Sequence, residues 1–443
     1  MIPSSGTARA AVSAVVLGFL PLAVTPPARA AGVPDCTRAT ATDVAQHSDG
    51  TSSPVNLLGI DEAQRAAVTS GARPGGGVTV AVVDSGIASH GLLDVVASHS
   101  VGSATVRPNS YHGTAVAGLI AGPTRPGGLT TGIAPGVRLV DVQVYGFSAE
   151  SASQTGGPST QDLAAGLRWL ASRADALKVD VAVVPAAVTP RPELAAAVRA
   201  VQRRGVLVVA PSGNRPESDD PGYLSEYFQD EPGQDGFADI GPADVPGVLV
   251  AGTTAPGSTP LENPGSIPNH AVDVVVPTAG GVSLALNGGD CVLGAAATSW
   301  AAAEVGGIAA LLLQRYDGES PAQIAARIVD TASGTSPDGP DDDSPDASLF
   351  FGAGVVQPVQ ALTRPLAPEG ASFSGLRAQP ERTPPVRPPV AEADVLHHSR
   401  ETAIWAGLVG GAVVVVAAIL RPLLTRRRPA DPDPRPHPAG GRR

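Results

Sequence analysis

Val78-Thr79-Val80-Ala81-Val82-Val83-Asp84-Ser85-Gly86 is the stretch on which the fold turns. Residues 78–83 are an unbroken, largely β-branched apolar run, the pattern of a strand buried on both faces of a parallel sheet. Asp-Ser-Gly then breaks the run with turn chemistry. Working outward, similar runs recur at Val137–Val144, Val179–Val184, Val206–Ala210 and Val248–Ala251. Helical stretches lie between or after them, at Tyr111–Ala121, Gln161–Arg173, Pro192–Arg203 and Pro321–Thr331, with a shorter helix expected over Leu57–Val68. Strands alternating with helices predict βαβ units and a doubly wound, mostly parallel sheet. Residues 57–363 are enough for one large α/β domain.

The chemistry-bearing residues fall at the ends of these elements. Asp84 sits just past the carboxyl end of its strand, where open α/β sheets bind ligands. His112 opens the helix Tyr111-His112-Gly113-Thr114-Ala115-Val116-Ala117-Gly118, whose small residues permit close packing. Ser299 lies at the start of Ala297-Thr298-Ser299-Trp300-Ala301-Ala302-Ala303, running into the apolar stretch to Leu313. There its hydroxyl meets the positive end of a helix dipole. Alone, Asp84 and Asn214 read as turn residues, His112 as a cap or core residue, and Ser299 as an ordinary helix cap. Together they give the order Asp–His–Ser, one of the known chain orders of the serine triad. Ser299 is then the nucleophile, His112 its base and later the acid, and Asp84 the group that orients His112. A further buried strand, Val206–Ala210, ends in Pro211-Ser212-Gly213-Asn214, presenting an amide donor suited to an oxyanion.

Composition removes competing classes. Net charge is −11, and Lys178 is the only lysine, so a nucleic-acid reading has no basic surface. Gly281-Val282-Ser283-Leu284-Ala285 fails the Gly-x-Ser-x-Gly elbow at its last position. Gly75-Gly76-Gly77 precedes its strand and is no dinucleotide loop, and no Gly-Lys phosphate loop exists. No cofactor or metal is expected. The acidic segment Ser336–Asp346 matches no calcium-loop spacing and reads as a solvated loop.

The ends read as targeting segments. Residues 1–30 carry Arg9, an apolar stretch Ala10–Val24 and Ala28-Arg29-Ala30, a signal peptide pattern. Ala403–Leu420 is uncharged and followed by Arg421, Arg426, Arg427 and Arg428, which reads as a membrane span with its C-terminus in the cytoplasm. The alternative is a buried core helix, which leaves the arginines unexplained. The expected organisation is a signal peptide (1–30), an N-terminal extension (31–56), the catalytic domain (57–363), a Pro/Arg-rich linker (364–398), a transmembrane helix (399–422) and a basic cytoplasmic tail (423–443). This places the chain at the cell membrane as a single-pass type I protein with its bulk outside. Cys36 and Cys291, the two cysteines, permit one disulfide in an oxidising compartment; two buried thiols are the alternative.

At this point the chain resembles the subtilisin-like serine peptidases, and more narrowly the mycosins, the membrane-anchored subtilases associated with type VII secretion in actinobacteria. The resemblance spans about Leu57–Leu362 and includes Phe351-Gly352-Ala353-Gly354-Val355-Val356-Gln357-Pro358. It implies a three-layer subtilisin-like fold, hydrolysis of protein or peptide substrates, and a secretion-complex partner at the membrane. It also assigns Val184, Pro185, Ala186 and Ala187 to the strand that binds substrate. Three departures stand out: Ala297 and Ala303 replace the Gly and Pro usual around the serine, and Pro185 cannot donate a ladder hydrogen bond. The second reading is therefore a structural secretion-complex component with weak or absent proteolysis.

Overall fold

Seven parallel strands carry the fold: β1 (Thr79–Asp84), β2 (Val95–Ser100), β3 (Arg138–Gln143), β4 (Val181–Val183), β5 (Leu207–Pro211), β6 (Leu249–Thr254) and β7 (Val274–Pro277). Their order across the sheet is β2-β3-β1-β4-β5-β6-β7. The chain builds outward from β1 in one direction and then returns to build in the other. The switch point therefore lies beside β1, next to β4, which is where such sheets form a crevice at their carboxyl ends. This is a computed structural model; it describes residues 33–48, 52–68, 71–102, 108–125, 131–146, 157–216, 224–228, 233–254, 265–333, 349–368 and 376–378.

The expected central strands form where the apolar runs lie. β1 is buried at every position, as a two-faced strand must be. Two strands of this sheet escaped the reading. β2, Val-Val-Ala-Ser-His-Ser, is an edge strand of alternating exposure, too polar to resemble the core runs. β7 is short and fully buried, and an apolar run of that length has no period to count.

One face of the sheet is covered by α3 (His112–Ala121) and α6 (Thr298–Arg315), the other by α4 (Thr160–Leu177) and α5 (Pro192–Gln202). α4 begins with the Ser159 hydroxyl accepting from the Asp162 amide, a standard N-cap. Apart from its last turn, α6 is buried throughout, including Glu304. Burial pushes the Glu304 carboxyl well above its ordinary range, so it sits in the core as a neutral acid.

The expected Leu57–Val68 helix is two helices, α1 (Ser53–Leu57) and α2 (Ile60–Ala67). Gly59 separates them in the left-handed conformation (φ 61°), which glycine adopts without a Cβ penalty. Residues 33–48 lack periodicity because no packed helix or strand face orders them. Instead, backbone bonds tie them along β9 (Asp290–Leu293), the partner of β8 (Gly281–Leu284) in an antiparallel hairpin. The Cys36 amide donates to the Val292 carbonyl (3.0 Å) and the Asp290 amide to the Gln46 carbonyl (2.7 Å). Cys36 and Cys291 are disulfide-bonded across a sequence separation of 255. Buried Asp290 accepts from Arg125 and from the Ser48 amide.

The domain closes through α7 (Pro321–Thr331), begun by a reciprocal Ser320–Gln323 capping box, and α8 (Pro358–Thr363). The signal peptide, the transmembrane helix, the linker apart from 364–368 and 376–378, the cytoplasmic tail and the 336–346 loop all lie outside the described residues. Among the described residues no helix is long and apolar enough to cross a membrane.

Candidate active site

Asp84, His112 and Ser299 arrive from three elements and meet at the carboxyl edge of the sheet. Asp84 ends β1 and is fully buried (0% exposed). His112 opens α3, the first helix to cross back over β1. Its ring is brought close because Gly113 lies against the turn after Asp84: a Cβ at Gly113 would fall 2.6 Å from the Gly86 carbonyl oxygen. No larger residue fits there. The Gly113 amide donates to Ser85 Oγ (2.9 Å) and the Ala88 amide to Thr114 Oγ1 (3.0 Å), which staples helix to turn.

The resulting hydrogen-bond line is continuous. His112 Nδ1 lies 2.8 Å from Asp84 Oδ2, and His112 Nε2 lies 3.1 Å from Ser299 Oγ. The other oxygen of Asp84 is also satisfied in the core. Oδ1 accepts from the Ser85 amide (2.5 Å) and from the Tyr145 hydroxyl (3.2 Å). Burial, with the nearby charge of Asp84, raises the Tyr145 phenol well above its usual range, so it remains a donor at any working pH. The His112 ring packs against the Trp300 indole at 4.7 Å between centroids, walling one side of the imidazole with apolar surface.

Ser299 sits in the first turn of α6, where backbone N–H groups have no helical partner and face the incoming charge. Ala297, the N-cap, has φ −150° and ψ 146°, ordinary extended backbone. The glycine usual here is therefore not required by conformation. Ala303, where the family has proline, is a buried position within the helix.

Asn214 follows β5 and is tied to the same turn. Its Oδ1 accepts from the Thr298 amide (2.8 Å) and the Thr298 hydroxyl (2.9 Å). With the oxygen committed, the NH₂ end of the amide is left as the group available to a ligand beside Ser299.

Val184–Ala187 lie where expected, at the carboxyl edge. Pairing Val82 with Val183 sets Pro185 level with Asp84 on the neighbouring strand. The Val184 amide still donates to the Val209 carbonyl (2.9 Å), and pairing resumes when Val188 exchanges both backbone bonds with Gly241 (2.9 and 2.8 Å). Among the described residues none of 185–187 takes part in backbone pairing, so this segment is a free edge. Pro185 and Ala186 are buried and Ala187 is half-buried.

Tyr145 was not legible as a site residue. It follows β3 by two positions, and only the packing of β3 beside β1 brings its hydroxyl to Asp84. Among the described residues no group of His, Cys, Asp and Glu side chains is arranged to hold a metal.

A profile of the subtilase family matches residues 75–354. The chain is a subtilase. It is 31% identical over 363 residues to mycosin-1 of Mycobacterium tuberculosis (strain ATCC 25618 / H37Rv), covering 71% of this chain and 74% of that protein. It is 30% identical over 318 residues to the M-protease of Shouchella clausii (strain KSM-K16), covering 69% of each. Among solved structures, that of MycP1 from the ESX-1 type VII secretion system superposes with a TM-score of 0.57 at 27% identity, covering 76% of this chain and 93% of that one. The chain is thus a subtilisin-like serine peptidase of the mycosin type, built on the α/β fold with a central parallel sheet.

Proposed function

We propose that this subtilase is a membrane-anchored, extracytoplasmic serine endopeptidase that acts through an acyl-enzyme and works beside a type VII secretion membrane complex. The observation that carries the catalytic part is the continuous line Asp84–His112–Ser299, at 2.8 and 3.1 Å. His112 takes the proton from Ser299 Oγ as Oγ bonds to the scissile carbonyl carbon. The oxyanion is received by the Asn214 amide and the Ser299 N–H. His112 then protonates the leaving amine as the C–N bond breaks, and water repeats the sequence to release the acid. Asp84 keeps its charge throughout and stabilises the imidazolium. Substrate lies as an extended strand along 184–187, where the unpaired backbone of 185–187 offers bonds that such addition needs.

The anchoring rests on residues 1–30 and 399–422 and on the arginines that follow the span. The secretion context rests on the similarity to mycosin-1 and to MycP1. A fluorophosphonate probe tests the catalytic core: wild type is labelled and Ser299→Ala is not. Failure of folded wild type to label overturns the peptidase reading. Pro185, which removes one donor from the binding edge, favours the second reading, a structural component of the secretion complex. That reading falls if Ser299→Ala assembles normally yet abolishes secretion.

A further inference from the structure

The turn that presents Asn214 is braced by a second segment, residues 265–270. The two run antiparallel. Asn214 pairs with Ser266, the Ile267 amide donates to the Gly213 carbonyl (3.1 Å) and the Arg215 amide to the Gly265 carbonyl (3.1 Å). The Asn269 side-chain amide donates to the Ser212 carbonyl (3.1 Å). Asn269 is fully buried, and its Oδ1 accepts from the Ala271 amide (2.9 Å). Bonds from 265–269 thus reach Ser212, Gly213 and Arg215, on both sides of Asn214.

A third segment, 235–240, closes over the brace. The Gly236 amide donates to the Pro268 carbonyl (2.7 Å). Ile240 and Ile267, both fully buried, fill the space under the turn. A Cβ at Gly213 would fall 2.4 Å from Ile240 Cδ1 and 3.6 Å from Ile267 Cδ1, and one at Gly236 would fall 2.6 Å from Ile267 Cγ2. With so little slack, a shift of 265–270 is passed to the turn.

What fastens 235–240 to the brace is Asp235. Its Oδ1 accepts from the Phe237 amide (3.1 Å) and the His270 amide (3.2 Å), and its Oδ2 lies 2.5 Å from His270 Nδ1. The Phe237 ring packs on the His270 imidazole with 4.2 Å between centroids. Burial by itself would raise the Asp235 carboxyl, but the His270 ring and the two backbone amides outweigh it and hold the group below its ordinary range. The side chains of His270 and Asp235 are 53% and 34% exposed, and so open a pair adds little to global stability. Its leverage is local, because a reacting centre loses rate when a donor is displaced even slightly.

We propose that Asp235 and His270 are positioning residues of the oxyanion site: their clasp fixes 265–270, and through it the placement of the Asn214 amide beside Ser299. This rests on the peptidase reading above.

The test uses the full chain and a fluorogenic peptide. Asp235→Ala and His270→Ala each lower kcat roughly 5–10-fold at unchanged KM, because an oxyanion donor is misplaced while the edge at 184–187 is untouched. The thermal midpoint stays close to that of wild type. Asp235→Asn recovers most of the loss, since its carbonyl keeps both amides and its NH₂ donates to His270 Nδ1 in the other tautomer. The deciding measurement is a cycle with Asn214→Ala. If the clasp acts through Asn214, D235A brings no further loss once that amide is gone. A full additional loss in that background, an unchanged kcat in D235A, or a loss that appears in KM overturns the proposal. Amide hydrogen exchange reads the brace without turnover: in D235A the Arg215 and Ile267 amides exchange faster and those of β1 do not. Unchanged exchange at these two amides overturns the proposal. Absence of turnover in folded wild type, with the faster exchange present in D235A, overturns the peptidase reading and leaves the brace standing.

Discussion

The start of α6 and the end of β4 share one edge of the sheet, and both depart from the usual subtilase pattern. At α6 the substitution is Ala297, in extended backbone that any residue adopts. Around it Asp84, His112 and Ser299 are joined by hydrogen bonds of 2.8 and 3.1 Å, and Asn214 accepts from the neighbouring Thr298 at 2.8 and 2.9 Å. At β4 the substitution is Pro185, in the unpaired segment to which the proposed function assigns substrate pairing. There the imino acid deletes a donor and nothing nearby replaces it. An added methyl costs only the space it occupies, whereas a missing N–H costs a specific interaction. On the proposed reading, chemistry and substrate pairing are therefore separable in this protein, the first keeping all its groups and the second short of one donor.

Three substitutions break or sharpen that comparison. Asn214→Ala has the largest expected effect: kcat for a fluorogenic peptide falls by about 10²–10³-fold, with KM nearly unchanged, as for loss of an oxyanion donor. Because Asn214 also anchors Thr298, its thermal midpoint is measured in parallel. A loss of activity matched by general unfolding would remove Asn214 from the chemical side of the comparison. Pro185→Gly restores an amide at the binding edge, and a KM reduced by roughly 5-fold at constant kcat is expected, in line with about 1 kcal/mol for one hydrogen bond. An unchanged KM would mean substrate is not paired at this position. Tyr145→Phe is the mildest. It removes the 3.2 Å bond to Asp84 and leaves the other two carboxylate contacts, so kcat drops only about 2–5-fold while KM holds. A rise in KM instead would place Tyr145 on the binding side.

The central runs were legible because a strand buried on both faces must be apolar at every position, as Val80–Val83 are. The meeting of Asp84, His112 and Ser299 was legible because their order and their places at element ends match a known chemistry. β2 was not, since an edge strand faces water on alternate residues and loses the core signature. Nor were residues 33–48, whose order comes from backbone bonds and the Cys36–Cys291 disulfide, neither of which leaves a period in the sequence.

The amino-acid order thus determined the element types, the parallel sheet and the choice of Asp84, His112 and Ser299 as the side chains to look for together, because hydrophobic period and motif spacing are local properties. Only the tertiary structure decided what stands behind them. Tyr145 touches Asp84 because β3 packs in parallel register beside β1. Pro185 lies level with Asp84 because β4 takes β1's other side. Such neighbours come from strand order across a sheet, which depends on how distant segments pair and carries no mark along the chain.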